Sequence, residues 1–484
     1  MVKLDNYEQF KEHIAEARDA FRRIGCKKPI RLISHLDCDG ICSCALLVHA
    51  LNRAGFTYNI SIVQQLDEAA ISQILREKYS LFFFTDIGSG HLPLIKKYAS
   101  GKQAFILDHH EIEGCSHGSE IIHINPHLFS IDGSREISGS GVVYLFAREL
   151  DKINAEMAHI AVIGAIGDVQ ENNGFLRLNE EIAAVAEQTG KIKRSRGLRI
   201  FGSQTRPIHK ALEYSTDPFI PGVSGSESGA IQFLMQLGVN PKEGGRWRKL
   251  YELSREEMKR LVAGVVLKRV GEENPEDVLG YIYILPHEKA ESPLRDAKEF
   301  ATLLNACGRM NKASYGIGAC LNDPKMKKLA VKSLTEYRKE IIKALNWYNS
   351  NPEGVIKEKG FVIINAHDNI PSTIIGTLAS IISKSNSLKP GTIIVSLAQM
   401  LDSNTKVSFR IAGNGNNGND ENLKELSESI AACVNGNAGG HRDAAGAIIA
   451  TDKEDEFIEN ARKILAARAI EEQVRDGRKK IVSV

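Results

Sequence analysis

Seven consecutive residues, Ser34-His35-Leu36-Asp37-Cys38-Asp39-Gly40, bring one imidazole and two carboxylates together on a short stretch of chain. Carboxylates held this close repel one another unless a cation sits between them. Oxygen and imidazole donors together suit Mn²⁺, Mg²⁺ or Zn²⁺. The same residues also read as a plain turn, with Asp39-Gly40 at the bend and Asp37 as a helix N-cap. Three later stretches favour the metal reading. Leu81-Phe82-Phe83-Phe84-Thr85 ends in Asp86, and Ala104-Phe105-Ile106-Leu107 ends in Asp108-His109-His110. The apolar run 160–166 leads through Gly167 to Asp168.

These residues need elements that bring them together. Ile30-Arg31-Leu32-Ile33 reads as a buried strand and 41–54 as a helix, with Gly40 allowing the sharp turn between them. Strands and helices alternate through 58–63, 68–78, 81–85, 91–98 and 104–107, which predicts a parallel sheet. In such sheets functional groups gather at the carboxyl ends of strands. Asp37, Asp39, Asp86 and His109 can therefore converge, and Asp168 could join them. The 156–166 segment fits helix at least as well as strand, which puts Asp168 at a helix end. The short strand 121–124 is stopped by Pro126, and Ser138-Gly139-Ser140-Gly141 opens a helix running to about 151.

From 191 the pattern changes. Lys191, Lys193, Arg194, Arg196 and Arg199 form a basic cluster, readable either as a solvated face or as a phosphate-contacting one. Helices are predicted over 227–237, 255–267, 297–307 and 326–348, the last long enough to bridge two domains, with one strand over 277–285. A final domain carries strands at 361–364, 392–396, 406–410 and 444–449, and helices at 371–383, 423–434 and 454–474, with a basic tail at 475–484 read as mobile. The division is thus 1–190, 191–350 and 351–484.

The chain has 484 residues, 43% of them hydrophobic, and a formal charge of +2, so any nucleic-acid surface must be local. There is no apolar run long enough for a bilayer. The opening 1–23 is a charged amphipathic pattern rather than a signal peptide, so a cytoplasmic protein is expected, with no membrane partner. The eight cysteines do not form a disulfide framework, and Cys38, Cys42 and Cys44 lack the paired spacing of a zinc site. They read as small buried residues. His91, His117, His123 and His127 read as surface or packing residues.

The chain resembles the DHH phosphoesterase superfamily, named for the triplet that stands here as Asp108-His109-His110. Gly439-Gly440-His441, followed by Arg442-Asp443-Ala444-Ala445-Gly446, is similar to the substrate-binding motif of the domain that accompanies DHH. Within the superfamily the chain looks most like archaeal RecJ-like nucleases, including the kind associated with the GINS replication complex. The resemblance implies an α/β N-terminal DHH domain with a parallel sheet, a mostly helical insertion, and a smaller α/β DHH-associated domain. It implies two Mn²⁺ ions, with Mg²⁺ possible. Asp86 would bridge them, His35 and Asp37 would complete one site, and Asp39, His109 and Asp168 the other. His110 would touch the scissile phosphate or hold a nucleophilic water, while Asp108 would fix a histidine from behind. Arg410, Gly439, Gly440 and His441 would bind substrate phosphates. More glycines usually precede this histidine than the Asn437-Ala438-Gly439-Gly440 found here, which puts the nucleotide contacts in question.

The implied function is a 5′ to 3′ exonuclease on single-stranded DNA, with RNA a further substrate, in replication or repair. Two other readings remain. One is an oligonucleotide or small-molecule phosphodiesterase, which the long insertion disfavours. The other is a replication scaffold that binds GINS and the helicase, which the full set of candidate ligands disfavours as a sole role.

Overall fold

The computed structural model describes residues 5–25, 28–114, 120–172, 174–216, 218–272, 274–385, 387–413, 422–442 and 444–482. The chain divides into two compact units, Met1–Leu334 and Thr335–Val484.

Unit one is built on five parallel strands in the order β2-β1-β3-β4-β5. They are β1 (Ile30–His35), β2 (Tyr58–Val63), β3 (Leu81–Thr85), β4 (Gln103–Leu107) and β5 (Ile121–Ile124). The helices between and after them are α1 (Asn6–Ile24), α2 (Cys38–Arg53), α3 (Glu68–Arg76), α4 (Leu92–Tyr98), α5 (Gly139–Leu150), α6 (Ala158–Gly167) and α7 (Arg177–Gln188). Alternation along β3 shows why the sheet is covered on both faces. Phe82 and Phe84 pack with Ile71, Leu75, Leu92 and Ile95 of α3 and α4. Phe83 turns the other way and stacks on Phe105 at 4.8 Å, with Phe21 of α1 and Phe146 of α5 around the pair. All three phenylalanines are fully buried, each worth about 1.5–3 kcal/mol of transfer free energy. α1 places Phe10, Ile14, Ala17 and Phe21 on one stripe, and the Asp5 carboxylate caps it by accepting from Glu8 N at 2.9 Å.

Strand order reverses between β1 and β3, and at such a point the carboxyl ends diverge and leave a crevice. β1 runs into His35 and β3 into Asp86, so both open into it. α6 is a helix ending on Asp168, the alternative favoured by the spacing of its apolar residues.

The rest of unit one is mostly helical. β6 (Lys193–Leu198) precedes α8 (Ile208–Glu213) and α9 (Glu227–Gln236). The two-residue strands β7 (Lys242–Glu243) and β8 (Arg246–Trp247) precede α10 (Arg255–Lys268). β9 (Leu279–Ile284) then pairs antiparallel with β6. α11 (Ala297–Arg309), α12 (Ala313–Cys320) and the long α13 (Pro324–Ser350) follow. The basic cluster is therefore mostly a strand. Its Arg194 is bound by Glu180 and Glu187, which makes that residue an internal ion pair rather than an open cation.

Unit two is one mixed sheet in the order β10-β11-β12-β13-β15-β14. Its strands are β10 (Val355–Glu358), β11 (Phe361–Asn365), β12 (Ile393–Gln399), β13 (Asn404–Ile411), β14 (Asn437–His441) and β15 (Ala444–Ala450). α14 (Ser372–Ser383), α15 (Leu423–Ala432) and α16 (Glu454–Val482) complete it. Phe409, Leu426, Ile430 and Phe457 centre its core. The tail read as mobile continues α16 as helix through Val482, because nothing after Glu454 breaks the helical run. No described helix is long and apolar enough to cross a membrane.

Candidate metal centre

The turn after β1 satisfies both of its readings at once. Asp37 Oδ1 accepts from Gly40 N at 2.9 Å and caps α2, while Oδ2 lies 3.0 Å from His35 Nδ1. Asp39 enters the first turn of α2, where Oδ1 accepts from Ser140 N at 3.1 Å. Asp86 follows β3 with a left-handed backbone, φ 57°, a strained conformation for a residue with a Cβ. Such strain persists only where the surroundings impose it, and here it turns the carboxylate between two groups of ligands. Its Oδ2 lies 3.7 Å from His35 Nδ1 and its Oδ1 lies 3.3 Å from His109 Nε2. On the far side, His109 Nε2 lies 3.8 Å from Asp39 Oδ2 and 3.9 Å from Asp168 Oδ2.

Two sets thus share the crevice. His35, Asp37 and Asp86 offer atoms all within 4.8 Å of one another, and so do Asp39, His109 and Asp168. Four of the buried atoms facing this space have no hydrogen-bond partner: His35 Nδ1, Asp39 Oδ2 and both oxygens of Asp86. Buried polar atoms are almost always satisfied, and an orphan points to an ion or a ligand. The donor set and these orphaned atoms fit a pair of divalent cations. One oxygen of Asp86 faces each set.

Charge in this crevice is frustrated. Burial, and then Asp86, push Asp39 well above the usual carboxylate range. Asp168 is raised first by burial and further by Asp86, partly relieved by His109. Burial opposes the imidazolium at His35, yet Asp37 and Asp86 lift it well above its ordinary value. Burial likewise opposes the charge on His109, and Asp86, Asp168 and Asp39 outweigh it. Burial alone would raise Asp37, but His35 and the Gly40 amide hold it well below. Cations would serve in place of these protons.

Further residues orient the ligands, and sequence reasoning did not find them. His109 Nδ1 lies 2.7 Å from the Gly133 carbonyl, so it carries a proton and leaves Nε2, which faces the carboxylates, as the atom that would ligate a cation. Gln170 donates to the same carbonyl at 3.0 Å and to Asp168 Oδ2 at 2.7 Å, and Asn179 donates to Gln170 Oε1 at 2.7 Å. Gly139 and Gly164 leave the room the carboxylates occupy. A Cβ at Gly139 would stand 2.3 Å from Asp86 Oδ1, and one at Gly164 would stand 2.4 Å from Asp39 Oδ1.

Asp108 sits behind the histidines. Its Oδ1 accepts from His110 Nδ1 at 2.7 Å and from the His109 amide at 2.8 Å, and its Oδ2 accepts from Ser89 N at 2.8 Å. Burial would raise Asp108, but His110, His109 and the Ser89 amide hold it far below its ordinary value. Burial opposes and Asp108 favours the imidazolium of His110, and the net shift is upward. His123 is a packing residue, buried behind Ser89 with Nε2 2.9 Å from Ser89 Oγ. Cys38, Cys42 and Cys44 are buried free thiols, raised by burial, with Cys38 pushed up to about 11.

In unit two, sheet register sets Arg410, Ala444 and His441 in one row across β13, β15 and β14. Arg410 donates to Ser380 Oγ at 2.9 Å and to the Phe409 carbonyl at 2.7 Å. Gly440 has φ +137° and a Cβ there would meet Ala444 O at 2.6 Å, so only glycine fits. The side chain of His441, Asp443, the polar loop 414–421, Cys26, Cys115 and His117 lie outside the described residues.

Residues 29–165 match the DHH family, N-terminal domain; 200–280 match the DHH-CID domain, and 359–467 match the DHHA1 domain. An uncharacterised protein of Methanocaldococcus jannaschii is 31% identical over 451 residues, which cover 90% of this chain and 93% of that one. The chain belongs to the DHH phosphoesterase superfamily. The fold of this DHH protein is shared with RecJ from Thermus thermophilus in complex with Mn²⁺, at TM-score 0.55 and 17% identity. That likeness covers 95% of this chain and 55% of that one, so the DHH protein spans about half of that RecJ chain. CDC45 from Entamoeba histolytica shares it at TM-score 0.63 and 11% identity, over 96% of this chain and 99% of that one.

Proposed function

We propose that this DHH protein is a divalent-metal-dependent phosphodiester hydrolase that shortens single-stranded nucleic acid from an end, DNA first and RNA second. The observation that carries the proposal is Asp86, whose two unpartnered oxygens each face a separate His/carboxylate set. His35, Asp37 and Asp86 would hold one ion, and Asp39, His109, Asp168 and Asp86 the other. Mn²⁺ is the expected metal, with Mg²⁺ able to replace it, since mixed imidazole and carboxylate donors suit the former. Bound there, such a pair would supply an activated water and neutralise charge at phosphorus.

The chain's own residues do the rest. Asp108 fixes the ring of His110 through Nδ1 and favours its protonated form, so Nε2 donates to a non-bridging oxygen of the phosphate or to the departing oxygen. Gln170 and the Gly133 carbonyl hold Asp168 and His109 in register. Arg410, Gly439, Gly440 and His441 bind backbone phosphates. Residues 1–190 would form the catalytic domain, 191–350 the insertion and connector, and 351–484 the substrate-binding domain. Degradation runs 5′ to 3′, in replication or repair.

A scaffold role beside catalysis has one supporting observation, the fold shared with CDC45 over nearly the whole chain. GINS and the replicative helicase are the partners such a role would take.

The test is hydrolysis of 5′-labelled and 3′-labelled single-stranded DNA and RNA with Mn²⁺, beside Asp86→Ala. Mononucleotides released from the 5′ end, and lost in the variant, support the reading. Cleavage confined to di- and trinucleotides replaces it with an oligonucleotide phosphodiesterase. Bound Mn²⁺ without any cleavage leaves the scaffold role.

A further inference from the structure

α11 is fastened at two places, to the 200–280 domain at its start and to the metal-binding turn near its end. At the start Asp296 caps the helix, with Oδ1 accepting from Lys298 N at 2.9 Å and Oδ2 accepting from Ser203 Oγ at 3.1 Å. Glu299, in the first turn, is 1% exposed. Its Oε1 accepts from Gln204 N at 3.0 Å and its Oε2 accepts from the Thr205 hydroxyl. Three consecutive residues of the 200–280 domain are thus held by two carboxylates of one helix end. Six residues after Glu299, about 9 Å along the helix, Asn305 Oδ1 accepts from Cys38 N at 3.0 Å. Gly308 lies so close to the same turn that a Cβ there would stand 1.7 Å from the Leu36 carbonyl oxygen.

Leu36 and Cys38 alternate with the candidate ligands His35, Asp37 and Asp39. The Cys38 amide belongs to the first turn of α2, where backbone N–H groups have no partner within the helix. Asp37 satisfies the Gly40 amide, but the Cys38 amide is satisfied from 267 positions away, by Asn305. The Cys38 side chain is pinned as well. It is 1% exposed, its Sγ lies 3.5 Å from the Ile163 carbonyl, and a Cβ at Gly167 would meet that sulfur at 2.5 Å. Three ligand candidates therefore sit on a turn wedged between α11 and α6, and α6 carries a fourth, Asp168, at its end. Asn305 acts on these ligands through the backbone of the turn.

A helix is stiff over two turns, so a displacement at Glu299 reaches Asn305. We propose that α11 couples the 200–280 domain to the metal centre, with Asn305 as the residue that positions the metal-binding turn. A shift of residues 203–205 then shifts the ligands, and by reciprocity ions bound at the centre tighten the hold on 203–205. The inference rests on the metal-binding part of the reading above, independently of any substrate, and adds a regulatory input to it.

The test uses the full chain and Mn²⁺ alone. Calorimetry is expected to show Mn²⁺ affinity lowered about 10–100-fold in Asn305→Leu, the usual loss when a group that orients ligands is removed. Asn305→Asp keeps the acceptor and is expected to restore the affinity. Thr205→Val removes a hydroxyl at the far end of α11 and is expected to lose about two- to thirtyfold. The two changes combined, Asn305→Leu with Thr205→Val, should lose less than the product of their separate losses, since both break one link. Thermal melting in EDTA establishes that each variant is folded. In wild type, Mn²⁺ should slow amide hydrogen exchange at 203–206 more than in α10, a measurement that needs no variant. Wild-type affinity in folded Asn305→Leu or Thr205→Val overturns the inference and leaves the metal reading intact. So does an equal loss in Asn305→Asp and Asn305→Leu, or exchange at 203–206 that Mn²⁺ slows no more than in α10. Failure of the wild type to bind Mn²⁺ removes the metal reading, and this inference with it.

Discussion

Replacing Gly139 by alanine tests the arrangement without touching a ligand. Gly139 opens α5 against Asp86, and its missing side chain is what lets the carboxylate lie there. The added methyl would stand 2.3 Å from Oδ1 and 2.9 Å from Cγ, where ordinary contact begins at 3.4 Å, so one partner must give by about 1 Å. Asp86 is a poor candidate to move, because β3 and its strained backbone hold it. If α5 retreats instead, Ser140 N leaves Asp39 Oδ1, and the second set loses its alignment. Either route misplaces a candidate ligand. Overpacking of this kind costs about 1–3 kcal/mol of stability. A displacement of about 1 Å at a reacting centre costs about a hundredfold in rate. The expected result is folded protein, melting a few degrees lower, with weakened Mn²⁺ binding by calorimetry and a hydrolysis rate down about a hundredfold. Gly90→Ala is the control, since its Cβ would meet nothing within 4 Å. Unchanged Mn²⁺ stoichiometry and affinity in Gly139→Ala would falsify the placement of Asp86 as the shared ligand.

Gln170→Leu should weaken Mn²⁺ binding about 10–100-fold, the usual effect of losing a group that orients a ligand, with little change in melting of the metal-free protein; equal affinity by calorimetry would count against Gln170 as a positioning residue. Arg410→Lys keeps the charge but not the planar fork, and is expected to weaken oligonucleotide binding without altering Mn²⁺ affinity; a change in metal affinity alone would remove Arg410 from substrate recognition. His123, lowered by burial to about 4, is neutral in the fold, whereas unfolded it protonates near its ordinary 6.5. The unfolded state therefore binds more protons between those values. Stability from this group is complete above about pH 6.5 and is lost as pH falls towards 4, by about 3 kcal/mol in all. Denaturant titrations across that window should show the slope in wild type and a shallower one in His123→Leu. Saturating Mn²⁺ at about a hundred times its dissociation constant should stabilise wild type by about 2.7 kcal/mol for each ion bound and Asp86→Asn far less, read as a melting shift.

The ligand candidates were legible because a parallel sheet makes them so. Each of Asp37, Asp86 and His109 follows an apolar run that can only be a strand buried on both faces, and the chemistry must then stand at its carboxyl end. Asp168 was harder for a physical reason. α6 packs against α2, α5, α7 and α11, so it is apolar all round and its helical period is blurred. β6 was hidden by the opposite effect. It belongs to a two-stranded ribbon with little core to face, so its residues are charged and read as a surface cluster rather than a strand.

The groups that orient the ligands left no trace because they bond through the backbone or across long gaps in the chain. His109 and Gln170 meet on the carbonyl of Gly133, which is an acceptor whatever residue stands there. Asp39 is held by the amide of Ser140, and a serine-glycine run reads only as a helix start. The same holds for the residues packed at the end of α6. Glu171, Tyr283 and Lys298 come from three separate stretches, and what marks Glu171 is not its identity but one oxygen that nothing in the folded chain satisfies. A missing partner is a property of the assembled fold, so it becomes visible only once every other hydrogen bond around it is in place.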